Sequence, residues 1–168
     1  DERWVEASNE ASNTLMIRQT LLSNLPGSEA CFHSIPTTAL SSPNASAEFF
    51  ANLLKEKCLG NPPVFDLILL GLGEDGHTAS LFPNTESIMI TSTWTTVSRG
   101  KGQDRITLTA PVLSAATKVM FLVSGASKKI ALKRLIDPSE SYKRTPAKLV
   151  TPSNEILILA DKAATELI

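Results

Sequence analysis

Residues Phe65 to Gly71, FDLILLG, form a run that is apolar but for one aspartate and ends at a glycine. An apolar run of this length, bounded by glycine, reads as a strand buried inside a parallel sheet. Open α/β sheets bind their ligands beyond the carboxyl ends of such strands. The residues beyond this one are Leu72-Gly73-Glu74-Asp75-Gly76-His77. His77 therefore stands where a catalytic group belongs, and Gly73 and Gly76 let a ligand approach the backbone closely.

The rest of the chain sets this strand, read as Val64–Gly71, in an α/β alternation. Ser8–Asn24 has near-helical apolar spacing and ends at the turn signals of Asn24–Gly27. Pro36–Pro43 is a loop. Ser42 reads as an N-cap with Pro43 in the first helical turn, ahead of a helix that stops near Gly60. Ser87–Val97, rich in threonine, isoleucine and tryptophan, is expected to be extended. Gly100–Gly102 is a turn, Arg105–Leu108 a short extended piece and Pro111–Thr117 a helix. Lys118–Val123 is a second buried strand, and Gly125 opens a helix that runs to Ile136. Glu155–Leu159 is a third strand, and Asp161 is expected to cap a final helix. Strands alternating with helices predict a three-layer α/β/α fold around a mainly parallel sheet. No internal repeat interrupts the pattern.

Bulk properties narrow the function. The chain has 168 residues, enough for one domain with a core, and its 42% hydrophobic and 20% charged content is that of a water-soluble globule. A net charge of -1 gives no reason to expect nucleic acid or an anionic membrane as partner. Cys31 and Cys58 lack metal-ligand spacing and are expected to be reduced, in keeping with a cytoplasmic location. No apolar stretch is long enough to span a bilayer, and no signal peptide is seen.

Gly71-Leu-Gly73-Glu-Asp-Gly76 matches G-x-G-x-x-G, so dinucleotide binding is the first rival. That site needs a long helix starting at the turn and an acidic residue about 20 positions on. Pro83 halts any helix early, and Thr95, Thr96, Val97 and Ser98 hold the region where the acid belongs. A lone histidine is more often a plain surface or core residue. Against that reading, His77 follows a strand-terminal glycine turn, and Glu74 and Asp75 are close by. A carboxylate that accepts from one ring nitrogen fixes the tautomer and makes the other nitrogen more basic, as a general base requires. His33 has no such company. No G-x-S-x-G or H-E-x-x-H motif is present, so water is the expected nucleophile, with no metal and no cofactor. Ser80 reads as a turn or helix-terminus residue. Arg105 and Lys128 are candidate anion clamps. A lysine in the first turn of a helix opposes the helix dipole, and a phosphate held there by backbone amides would explain it. The charged opening, Asp1-Glu2-Arg3, is of a kind that normally faces solvent.

Gly71 to Pro83 fits the signature G-x-G-x-D-G-H-x-A-S-L-F-P, and in this the chain resembles the 6-phosphogluconolactonase family. Further landmarks come in order: D-E-R-x-V at Asp1–Val5, S-N at Ser12-Asn13, R-I-T-L-T at Arg105–Thr109, G-A-S-K ending at Lys128, P-A-x-L-V at Pro146–Val150 and D-x-A-A at Asp161–Ala164. Glu6 and Asn9 stand where the family usually has proline and histidine. The resemblance implies hydrolysis of 6-phospho-D-glucono-1,5-lactone, with His77 as the base, Asp75 beside it, and Arg3, Gly73, Gly76, Arg105 and Lys128 in contact with the phosphorylated sugar. It also implies a monomer or weak homo-oligomer. Residues 1–168 would be a single lactonase-like domain without the amino-terminal strand–helix units usual in the family. Related glucosamine-6-phosphate deaminases and isomerases carry an acidic residue soon after D-G-H. Ser80-Leu81-Phe82-Pro83 offers none, which favours the lactonase. A sugar-phosphate-binding protein without turnover is the other alternative.

Overall fold

The register of three parallel strands decides which side chains form the core. The computed structural model describes residues 1–25, 27 and 31–168. Among these residues the elements are β1 (Glu2–Arg3), α1 (Asn13–Thr20), α2 (Pro43–Lys57), β2 (Ile68–Gly71), β3 (Thr95–Gly100), β4 (Gln103–Leu108), α3 (Ala110–Ser114), β5 (Val119–Val123), α4 (Lys129–Ile136) and β6 (Ile156–Ala160). Strands β2, β5 and β6 form a parallel sheet in that order. Leu70, Phe121 and Ile158 lie side by side across it, as do Ile68, Val119 and Ile156. Because side chains alternate across a strand, these rows share one face. They pack with Leu81, Leu113, Leu132 and Val150 into the main core, where Phe121 is fully buried. The fold is the mixed α/β one that the alternation implies.

A second sheet was not legible in the sequence. Strands β1, β4 and β3 pair antiparallel in that order. The opening triplet is not a solvated run. Arg3 pairs with Arg105, and Glu2 is almost wholly buried. The Glu2 carboxylate accepts from the amides of Asn13 and Thr14, each at 2.7 Å, and from the Ser12 hydroxyl at 3.1 Å. It thus satisfies amides at the start of α1 that have no partner within the helix, and as an anion it suits the positive end of the helix.

Several expected elements are shorter than their sequence patterns. Helix α1 covers only the middle of Ser8–Asn24, and Pro26 of the turn that follows lies outside the described residues. In the Val64–Gly71 run only the last four residues form strand. Phe65 and Asp66 still accept from the amides of Thr117 and Lys118, which carries the pairing back before β5. Ser87–Val97 is not a single extended stretch. Glu86–Met89 is a 3₁₀ turn, and Ser87 is buried with its hydroxyl bonded to those of Thr85 and Ser98. Those polar side chains override the strand propensity of the segment. The final helix does not form. Asp161 does accept from the Ala164 amide at 2.8 Å, but the residues behind it make only turns. Ser42 caps α2 as expected, accepting from the Ala45 amide.

Candidate active site

Strand β2 delivers the chain to the site and the glycine turn after it shapes the site. Gly73 N–H donates to the His77 carbonyl at 2.8 Å, and Gly76 N–H to the Gly73 carbonyl at 2.9 Å. The turn folds the His77 ring back over Gly73, where a Cβ would lie 2.0 Å from His77 Nδ1. No side chain fits there. Gly76 is needed for a different reason. Its φ is 87°, and a Cβ would meet Thr145 at 2.9 Å. No helix follows, since Thr78 to Leu81 makes a tight turn instead. The dinucleotide alternative therefore lacks the helix it needs.

Asp75, not Glu74, partners the imidazole. Its Oδ1 lies 2.5 Å from His77 Nδ1 and also accepts the His77 amide at 3.1 Å. An ionised carboxylate can only accept, so Nδ1 carries the hydrogen and Nε2 is left with its lone pair. Burial pulls the His77 pKa below the ordinary 6.5. Asp75 acts in the opposite direction, and Lys101 and Arg105 add to the lowering. The expectation of a more basic imidazole is thus corrected, because desolvation outweighs the carboxylate. The result still suits a base, since His77 is neutral at neutral pH. Burial alone would raise the Asp75 pKa, but the hydrogen bonds from the His77 ring and amide outweigh burial and hold the carboxyl below its usual range.

His77, Gly73, Arg3, Arg105 and Lys128 line one cavity of about 280 Å³, together with Asp1, Asn13 and Lys101. The structure therefore gathers into one place residues that the sequence holds far apart. Arg3 bonds the Ala11 carbonyl at 2.6 Å and Asn13 Oδ1 at 3.1 Å. Arg105 is only 6% exposed. Its guanidinium lies 5.3 Å over the Phe82 ring and 3.8 Å from the Asp1 carboxylate. Burial, then the neighbouring Arg3, push the Arg105 pKa down, and Glu2 opposes them. Gly76 lies outside this lining, facing Thr145. Lys128 ends a 3₁₀ turn just before α4. The amide at the start of that turn is not open to a phosphate, because Gly125 N–H donates to Asp161 at 2.9 Å. Ser80 is fully buried and donates its hydroxyl to Asp1 at 2.7 Å. Sequence reasoning missed Phe82 and Lys101. Phe82 stacks on His77 with ring centroids 4.3 Å apart.

Cys31 and Cys58 are unbridged, and no helix among the described residues is long and apolar enough to cross a membrane. Among those residues no group of three or more His, Cys, Asp or Glu side chains is placed to hold a metal ion.

The family model for glucosamine-6-phosphate isomerases/6-phosphogluconolactonase matches residues 1–159. The chain belongs to this family. A 6-phosphogluconolactonase of Synechocystis is 40% identical over 169 residues, a match that spans 99% of this chain and 70% of the relative. Among solved structures, the devB protein is 34% identical with a TM-score of 0.83, over 98% of this chain and 70% of that one. The 6-phosphogluconolactonase of Leishmania guyanensis is 25% identical with a TM-score of 0.85, over 98% and 71%. Against the family signature, His77 and Asp75 sit inside its most specific stretch, while Lys101 lies in the hairpin between β3 and β4.

Proposed function

We propose that this chain hydrolyses 6-phospho-D-glucono-1,5-lactone to 6-phospho-D-gluconate, with His77 as general base. The observation that carries the reading is that His77, paired with Asp75, lines one cavity with Arg3, Arg105 and Lys128. Kinship with 6-phosphogluconolactonases over nearly the whole chain supplies the substrate class.

Neutral Nε2 of His77 takes a proton from water as the water oxygen bonds to the lactone carbonyl carbon. The carbonyl electron pair moves onto its oxygen. The tetrahedral intermediate collapses by breaking the bond to the ring oxygen, and the imidazolium returns the proton to that oxygen. Asp75 holds the ring in the required tautomer and stabilises the transient imidazolium. Arg3, Arg105 and Lys128 contact the phosphorylated sugar. Binding energy gathered away from the carbonyl then positions it for attack. We take the enzyme to act in the cytoplasm on this small molecule, without a nucleic-acid partner. The unbridged cysteines and a net charge of -1 support that reading.

The test follows the disappearance of freshly made lactone. The protein should shorten its lifetime well below that of the spontaneous reaction. An unaltered lifetime would sink the reading, and ammonia release from glucosamine 6-phosphate would replace it with the deaminase.

A further inference from the structure

The corner between β3 and β4 is Lys101-Gly102, with φ angles of 53° and 79°. Two left-handed residues in succession match the twist of a hairpin, and asparagine or glycine normally takes the first place. A lysine there holds a backbone conformation that residues with a side chain seldom adopt, which raises the question of what its position serves.

Packing directs this corner at the site. Gly100 is pressed onto Phe82 so closely that a Cβ would come within 2.2 Å of the ring. Phe82 in turn stacks on His77. The contacts Gly100–Phe82–His77 tie the hairpin tip to the base, and Lys101 lines the same cavity. Lys101 makes no hydrogen bond or ion pair with a described residue, yet its charge acts on both Asp75 and His77.

Three backbone donors beside His77 are already committed. The amides of Gly73, Gly76 and His77 are bonded within the turn. Arg3, Arg105 and Lys128 line the same cavity and are taken up by the phosphorylated sugar in the reading above. The negative charge that builds on the carbonyl oxygen needs a donor that is still free.

We propose that Lys101 is a further catalytic residue, whose ammonium donates a hydrogen bond to the lactone carbonyl oxygen as the tetrahedral intermediate forms. No proton is transferred in this contact. Lys101 stabilises the oxyanion while His77 handles both proton steps. The proposal rests on the lactonase reading above and adds the group that carries the oxyanion.

The experiment compares the parent with Lys101→Gln and Lys101→Arg, using lactone as substrate and glucitol 6-phosphate, which has the phosphate but no carbonyl, as a binding probe. Loss of one oxyanion donor typically costs ~10²–10³-fold in kcat. Lys101→Gln should lose kcat on that order, bind glucitol 6-phosphate as the parent does, and recover part of its rate as Lys101→Arg. The acid limb of kcat/KM should also move to higher pH. His77 is faced by Asp75, Lys101 and Arg105, with Asp1, Arg3 and Lys128 around the same cavity. Removing one cation from this set favours the imidazolium and so raises the His77 pKa. Parental kcat together with an unmoved limb would overturn the proposal. So would weaker binding of glucitol 6-phosphate at unchanged kcat, which would make Lys101 a phosphate clamp. If the parent itself fails to hydrolyse lactone, the lactonase reading falls and takes this proposal with it. An active parent with a parental Lys101→Gln removes this proposal alone.

Discussion

Asp75 grips the His77 ring and the His77 backbone through the same oxygen, Oδ1, at 2.5 Å from Nδ1 and 3.1 Å from the amide. One carboxylate therefore fixes both the tautomer and the position of the imidazole, the proposed base. His77→Ala should cost ~10²–10⁴-fold in kcat with little change in affinity for 6-phosphogluconate. Asp75→Asn keeps the shape but removes the charge that opposes the lowering of the His77 pKa. Its acid limb of kcat/KM should shift to lower pH, while kcat falls at every pH because the imidazolium loses its counter-ion. In the parent that limb should lie below 6.5, since burial already depresses the group. A pH–rate profile corrected for spontaneous hydrolysis checks all three statements.

Gly73 and Gly76 should fail in different ways when each is changed to alanine. At Gly73 the new methyl meets the imidazole and the Asp75 carboxylate, the two groups of the proposed general base. Gly73→Ala should lose most of its kcat through displacement of His77, with a modest fall in Tm. At Gly76 the obstacle is a left-handed backbone against Thr145. That costs roughly 1–2 kcal/mol for the conformation and about 1–3 kcal/mol for the overpacking. Gly76→Ala should therefore show its main defect in thermal unfolding.

How much of this was legible in the sequence depended on how local the cause was. Gly73, Asp75 and His77 lie within one turn, so residue type and spacing alone brought them together. Strands β2, β5 and β6 were visible because each is a short apolar run. Glu2 was not legible as a cap, because the amides it binds belong to α1 and the pairing that buries it comes from β4. Phe82 and Lys101 were missed for the same kind of reason. Their link exists only once the hairpin tip folds onto the histidine turn through Gly100. The extended reading of Ser87–Val97 failed because propensity cannot foresee the Thr85–Ser87–Ser98 hydroxyl chain.

Glu140 gives the site an acid-sensitive support. It is buried, binds Arg144 through both oxygens and accepts from the Thr145 hydroxyl at 3.0 Å. Thr145 packs on Gly76, and Ala147 N–H donates to the Gly76 carbonyl at 3.0 Å. The Arg144 hydrogen bond, aided by Thr145 and the Arg144 charge against an opposing desolvation, lowers the Glu140 pKa from 4.5 to about 2. Between those values the unfolded chain binds more protons than the folded one, so stability rises with pH across the window. The contribution is complete above 4.5 and gone below about 2. Glu140→Gln should flatten the Tm-against-pH curve between those limits and lower Tm at pH 7.

The parallel sheet has a second face, and among the described residues this one is open. Leu69, Met120 and Leu157 form one row across it, and Leu122 and Leu159 another. Leu69 is 57% exposed and Leu157 46%. A hollow of about 440 Å³ lined by Leu67, Met120 and Leu157 lies on the same side. Parallel sheets are normally covered on both faces, and a contiguous apolar patch of this kind drives association. The 168-residue chain by itself should therefore bind a hydrophobic dye and self-associate as its concentration rises. Leu69→Lys with Leu157→Glu places opposite charges at the two ends of one row on that face, leaving the buried row of Leu70, Phe121 and Ile158 untouched. The double variant should bind less dye and sediment as a smaller species. Because His77 lies beyond the end of β2, its lactonase activity per folded chain should stay at the parental level. Equal sedimentation of variant and parent would show that the face does not drive association.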